Sequence, residues 1–312
     1  MALKLTGMFT FSKMMRVFRD EALQQAFEKD GYVVVPFYTH EEIKELTDLY
    51  HRLHPKDEKG FFPSTFSKDK NYRTVADEEI RRICERPMNL YLQDSKTICG
   101  CFIVKSPGPE SAMCVHQDMT LVDESKFTGI NIWVPLVDLT PTNGVIQVLP
   151  GSHRIYPTYR GSTIPGFYED VNEEIKPYLK SVYLKAGEAV FFDQSIIHYS
   201  DANLSDNVRI VTNTYFTHKD ADFRIAYWNK DFGNKVELFE EDETFMTDFE
   251  QFGHNIHNKP QIGKSLGLVD YNFPKLTAQQ LEQLYGPPPV ATAPQPDVRK
   301  PFLKRVLESM FS

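Results

Sequence analysis

Between residues 98 and 217 the chain breaks into short β-branched and aromatic runs separated by Gly, Pro and Asn turns. That spacing admits few architectures. The candidate strands are 98–105, 112–118, 129–137, 145–149, 181–185, 189–193 and 208–217. Many short, evenly spaced strands preceded by helices fit a jelly-roll sandwich buttressed on one side by helices, so the expected class is mainly β with flanking helices (α+β). The helical support lies at about 15–95. Leu23, Ala26 and Phe27 recur at helical spacing before Gly31, a natural stop. Thr39 and Glu42 form a capping box, and Ile43, Leu46, Tyr50 and Leu53 make one apolar stripe behind it. Pro87 is expected to prevent one continuous helix through 78–92, because it removes a donor and its ring clashes with the preceding turn.

Within the strand-rich region stands His116-Gln117-Asp118, with His198 and Arg209 downstream. Two histidines and one carboxylate can hold a non-haem Fe(II) on one face and leave the opposite positions open. On an extended strand residues i and i+2 point to the same side, so His116 and Asp118 converge while Gln117 points away. A lone HxD is weak evidence. Here Ala112-Met113-Cys114-Val115 reads as a strand running into the pair, and Ala189-Val190-Phe191-Phe192-Asp193 as a second strand shortly before His198. Along 208–217, Arg209 shares a face with Val211, Asn213 and Tyr215; which face lines the interior is left open by the alternation.

These segments, with Gly31-Tyr32-Val33-Val34-Val35-Pro36, Trp133-Val134-Pro135-Leu136-Val137-Asp138 and Asn143 through His153, make the chain resemble the phytanoyl-CoA dioxygenase family of Fe(II)- and 2-oxoglutarate-dependent oxygenases. The resemblance spans about residues 20–217. It implies a double-stranded β-helix (cupin-like) core, Fe(II) held by His116, Asp118 and His198, and 2-oxoglutarate and O2 as co-substrates. It makes Arg209 the partner of the far carboxylate of 2-oxoglutarate, a role suited to a planar fork that donates two parallel hydrogen bonds. Ser200 is read as an added hydroxyl contact and Trp133 as a surface packed on the co-substrate. The implied reaction couples oxidative decarboxylation, giving succinate and CO2, to hydroxylation of an unactivated C–H bond of a small-molecule metabolite. Asp118 bears on the outcome, because a related halogenase needs a small residue there. Desaturation, epoxidation and cyclisation remain open, as do copper or zinc occupancy and two readings of other classes: a non-catalytic barrel that binds a metal or metabolite, and an interaction module.

A net charge of −8 makes a nucleic-acid backbone a poor partner. No stretch approaches the roughly 20 apolar residues of a membrane span. Cys84, Cys99, Cys101 and Cys114 match no zinc-ligand spacing and read as reduced thiols, and residues 1–17 lack an apolar leader core, so the expected compartment is cytoplasmic. The expected organisation is one catalytic domain over 1–283, a Pro-rich linker over 284–301 and a short amphipathic helix over 302–312 that docks on its own subunit or joins a homo-oligomer. Residues 218–283 are expected to pack around the barrel rim. Phe61, Phe62, Phe66 and Tyr72 read either as a substrate lid or as a packed loop, and Lys68, Lys70, Arg73 and Lys105 as candidate contacts for an anionic substrate. His153 reads as structural, and His254 and His257 as solvated.

Overall fold

The structure, a computed structural model, describes residues 16–53 and 59–289. The reading of residues 1–17 therefore falls almost wholly outside the described residues, as do most of the Pro-rich linker and the 302–312 helix. In chain order the elements are α1 (Glu21–Asp30), β1 (Tyr32–Pro36), α2 (His40–Leu53), β2 (Phe61–Pro63), α3 (Lys70–Tyr91), β3 (Ser95–Lys105), β4 (Met113–His116), β5 (Ile130–Pro135), β6 (Ile146–Val148), α4 (Asn172–Ile175), β7 (Lys180–Val182), β8 (Glu188–Asp193), β9 (His198–Ser200), β10 (Arg209–His218), β11 (Arg224–Tyr227), β12 (Lys235–Glu240), β13 (Lys264–Asp270) and α5 (Ala278–Tyr285).

Two antiparallel sheets make the jelly roll. The major sheet runs β1-β8-β5-β10-β3-β2 and the minor sheet β4-β9-β6-β7. Period-two alternation sorts the strand side chains into two layers. On β8, Phe191 points to the helices and packs with Phe18, Phe27, Phe37 and Tyr91, while Phe192 points between the sheets with Trp133, Val148 and Val211. Each such side chain removed from water contributes roughly 1.5–3 kcal/mol. The same alternation settles β10: Ile210 and Phe216 face the helices, whereas Arg209, Asn213 and Tyr215 line the interior cavity.

Local chemistry sets the helix ends. Gly31 closes α1 in the left-handed region (φ 79°) and its N–H donates to Phe27 O. A side chain there would collide with the His153 ring, whose Nδ1 lies 2.5 Å from the ideal Cβ position. The capping box forms as expected, with Thr39 N donating to Glu42 Oε2 (2.8 Å) and Glu42 N to Thr39 Oγ1 (3.2 Å). Pro87 is a correction, since α3 continues through it to Tyr91. Interior proline costs about 3 kcal/mol, but Ile83, Cys84, Met88 and Tyr91 on either side of it are all buried in the helix–sheet core, and that packing outweighs the loss.

Residues 218–283 do pack at the rim, as the β11-β12-β13 sheet and the start of α5. Leu284 and Tyr285, assigned above to the linker, are the last residues of α5, and the Tyr285 hydroxyl donates to Pro150 O (3.1 Å). Among the described residues no helix is long and apolar enough to cross a membrane. Cys84, Cys99 and Cys101 are buried and Cys114 is exposed; all four are free thiols.

Candidate metal and co-substrate site

His116 ends β4 and stands opposite His198 at the start of β9. Each imidazole turns its Nδ1 to a carbonyl two residues back: His116 to Cys114 O at 2.8 Å and His198 to Ile196 O at 3.0 Å. Those carbonyls accept only from a protonated Nδ1, which leaves both Nε2 lone pairs facing the centre. His116 Nε2 lies 3.8 Å from Asp118 Oδ1, and His198 Nε2 lies 3.9 Å from Asp118 Oδ2. Both separations are shorter than two metal–ligand bonds of roughly 2.0–2.2 Å laid end to end. Donor atoms of all three residues fall within 4.8 Å of one another. Burial, reinforced by His198, pulls the His116 pKa down to about 4, so its ring is neutral and able to ligate at pH 7.

Asp118 converges with His116 as expected, but strand register does not hold it there, because β4 stops at His116. Three bonds from outside the strand hold it instead. Its N–H donates to Gln194 O (3.0 Å), its carbonyl accepts from Arg160 Nε (2.7 Å), and its Oδ2 accepts from Asn131 Nδ2. Gln117 points away from the centre, as expected: its side-chain amide donates to Ser195 O and its N–H to the Tyr168 hydroxyl (3.1 Å). Sequence reasoning missed Asn131 and Arg160. A polar residue at an inward position of Ile130-Asn131-Ile132-Trp133 was a usable signal for the first; a loop arginine offered none for the second.

Arg209, at the start of β10, is 1% exposed. Its Nε and Nη1 have no hydrogen-bond partner, and its guanidinium lies 5.2 Å from the Trp133 ring centroid. It pairs with neither Asp206 nor Asp193; Asp193 instead accepts from the Ser195 N–H and hydroxyl. Burial lowers the Arg209 pKa to about 9, which leaves it charged at neutral pH. A buried, unpartnered cation is expensive unless an anion joins it. The donor chemistry therefore fits a three-ligand metal beside a carboxylate-bearing ligand.

Both groups open on a cavity of about 710 Å³ that also touches Trp133, Ser200 and Asn213. Its outer wall is aromatic, including Phe61, Phe66, Tyr159, Phe167 and Phe252. Of the lid residues, Phe61 and Phe66 reach the cavity, whereas Tyr72, on the first turn of α3, is buried in the helix–sheet core and Phe62 packs against that core. The basic candidates go elsewhere. Arg73 donates to Ser67 O and Thr247 O, and Lys105 is fully buried with its Nζ on Ser200 O (3.0 Å) and Asp201 O (2.5 Å). Lys68 and Lys70 are exposed and do not line the cavity. His257, read as solvated, is exposed but sits at the mouth with its Nδ1 3.2 Å from Ser162 O. His153 lies away from the triad, with Nε2 3.2 Å from Glu28 O.

Residues 27–211 match the family model described as phytanoyl-CoA dioxygenase (PhyH). A phytanoyl-CoA dioxygenase domain-containing protein 1 homolog of Dictyostelium discoideum is 32% identical over 40% of this chain and 48% of its own length. A phytanoyl-CoA dioxygenase of Arabidopsis thaliana is 27% identical over 42% of this chain and 46% of its own. The chain thus spans about half the length of the curated relatives it matches. Among solved structures, the non-haem alpha-ketoglutarate-dependent carbocyclase SnoK of nogalamycin biosynthesis has a TM-score of 0.49 at 18% identity, covering 65% of this chain and 86% of that one. HygX of Streptomyces hygroscopicus, solved with nickel, 2-oxoglutarate and hygromycin B, has a TM-score of 0.45 at 16% identity, covering 63% and 86%.

Proposed function

Because the chain belongs to the phytanoyl-CoA dioxygenase family, we propose that it is a non-haem Fe(II)- and 2-oxoglutarate-dependent oxygenase that hydroxylates a small molecule. The observation that carries this reading is the pairing of a three-donor His–Asp–His cluster with an unpartnered buried arginine on one cavity. His116, Asp118 and His198 are the ligands, and Arg209 receives the far carboxylate of 2-oxoglutarate through its free Nε and Nη1. Bound iron supplies the O2-dependent decarboxylation of 2-oxoglutarate to succinate and CO2 and the oxidising power to attack a C–H bond.

The chain's own residues do the rest. The Nδ1 bonds of the two histidines fix their tautomers and ring angles. Trp133 stacks on the Arg209 guanidinium and holds it toward the cavity. Ser200, whose side chain borders the same floor, adds a hydroxyl. Aromatic walls exclude water and leave the substrate to be placed by shape and a few polar groups. Hydroxylation is the favoured outcome because Asp118 fills a position that halogen transfer would need vacant. The N-terminal helices share one core with the major sheet, which supports a single catalytic domain over 1–283.

Anaerobic titration of the metal-free protein with Fe(II) and 2-oxoglutarate tests this reading. Wild type should develop a weak visible charge-transfer band, absent in His116→Ala and weakened in Arg209→Ala. A fully metallated wild type with no band would sink it.

A further inference from the structure

We infer that Arg160 is a positioning residue for the metal carboxylate Asp118, and that it fastens the wall of the outer cavity to the metal centre. The inference rests on the site reading proposed above. Asp118 lies two residues past the end of β4; Gln194 O accepts from its N–H (3.0 Å), and no strand register fixes its carbonyl. Arg160, 6% exposed, supplies what the strand does not. Its Nε donates to Asp118 O at 2.7 Å and its Nη1 to Thr158 O at 3.0 Å. Both terminal nitrogens grip Glu124, Nη1 to Oε2 at 2.8 Å and Nη2 to Oε1. The backbone adds a second clasp, with Thr120 N donating to Arg160 O (3.0 Å) and Arg160 N to Thr120 Oγ1 (3.0 Å).

One planar side chain therefore holds three segments in register: the metal carboxylate at 118, the loop at 120–124 and the wall at 158–161. Thr158 to Gly161 line the cavity, and the buried Thr158 Oγ1 has no partner of its own. Of the side chains on that wall, Arg160 is the one bonded directly to Asp118. A lysine cannot substitute, because its one donor head cannot serve Glu124, Thr158 O and Asp118 O with the fork's geometry.

Binding of Co(II) alone, followed by its visible d–d absorption, tests this without turnover. Loss of a partner that orients a ligand typically weakens metal binding by roughly 10–100-fold. Arg160→Met should fall in that range with an altered band shape, and Arg160→Lys should be weakened less than Arg160→Met but by more than twofold. Arg73→Met removes an arginine that is equally buried but bonded to Ser67 O and Thr247 O. It should lower thermal stability and leave Co(II) affinity alone. Either Arg160 variant, folded by circular dichroism, binding Co(II) within twofold of wild type would overturn the assignment; should the Met variant not fold, the Lys variant decides. Failure of wild type itself to bind Co(II) would count against the functional reading instead.

Discussion

Replacing Arg209 with methionine should move stability and co-substrate affinity in opposite directions. In the free protein its guanidinium is buried, and two of its nitrogens have no acceptor. Burial that carries its pKa from 12.5 to about 9 disfavours the charged form by on the order of 5 kcal/mol, at 1.36 kcal/mol per pH unit. Stacking on Trp133 returns roughly 0.5–2 kcal/mol of that. An apolar side chain of similar length removes the penalty, so metal- and ligand-free Arg209→Met should be more stable than wild type by about 1–3 kcal/mol. Binding reverses the sign. Truncating one partner of a buried, hydrogen-bonded charge pair costs about 2–5 kcal/mol, which is roughly a 30- to 5,000-fold rise in the Kd for 2-oxoglutarate. At a ligand concentration of 100 times its Kd, wild type gains about 2.7 kcal/mol of stability; the variant, with its Kd raised at least 30-fold, should gain about 0.9 kcal/mol or less there. Scanning calorimetry with and without Ni(II) and 2-oxoglutarate reads both effects in one instrument. A variant less stable than wild type when free, with its Kd within threefold, would refute the argument.

Two other outcomes follow from charges around the same floor. Burial, with Arg209 adding repulsion and Asp201 opposing, holds Lys105 down to about 6; a carboxylate that offsets the Arg209 charge raises that value. Binding of 2-oxoglutarate near pH 7 should then take up part of a proton, seen by calorimetry as a buffer-dependent enthalpy that Lys105→Met abolishes. The same depressed value means that stability gains from Lys105 as pH rises from about 6 toward 10.5, since only the unfolded chain stays protonated there; Lys105→Met should flatten that rise in thermal melts. At the mouth, Arg160 is committed to Glu124 and Arg209 lies at the floor, which leaves no free arginine or lysine among the described lining residues for a polyphosphate headgroup. Binding of decanoyl-CoA should therefore be insensitive to salt between 20 and 300 mM, and a tenfold weakening over that range would refute this account of the mouth.

Much of the site was legible because its chemistry is written in residue types that strands rarely bury. His116, Asp118, His198 and Arg209 punctuate apolar runs, and the convergence of His116, His198 and Arg209 follows from alternation and a jelly-roll closure. What escaped the sequence has specific causes. Asp118 was expected to point inward by strand periodicity, yet the strand ends two residues early and Gln194, Asn131 and Arg160 direct it instead. Those partners come from segments 13 to 76 residues away in the chain, where no local pattern links them to the HxD pair. Pro87 was read by a local rule that the packing of α3 overrides. His257 looked solvated because its neighbours suggest a loop. It is in a loop, but the chain path of the rim sheet brings that loop to the cavity mouth.

The division of labour between the two sheets explains why Asp118 needs so many supports. Both histidines belong to the minor sheet, on β4 and β9, and Arg209 and Trp133 belong to the major sheet, on β10 and β5. A metal and a carboxylate ligand that must touch each other can do so only if the separation of the sheets is fixed. Apolar packing does part of this: Phe192 of the major sheet packs against the His198 ring, centroids 4.9 Å apart and planes tilted by 55°. Packing alone resists compression better than sliding, because it is non-directional. Directional bonds supply the missing constraint, and they converge on Asp118. Asn131 reaches it from β5, Gln194 from the end of β8, and Arg160 from the cavity wall. Asp118, held through both its backbone and its carboxylate, is thus the joint between a histidine-bearing sheet and an arginine-bearing one. It follows that Asn131→Leu, which leaves every proposed ligand in place, should weaken Co(II) binding by roughly 10-fold or more and loosen the coupling between metal and 2-oxoglutarate binding. A comparable apolar change on the helix-facing side of the same strand, Ile132→Val, should leave both unchanged.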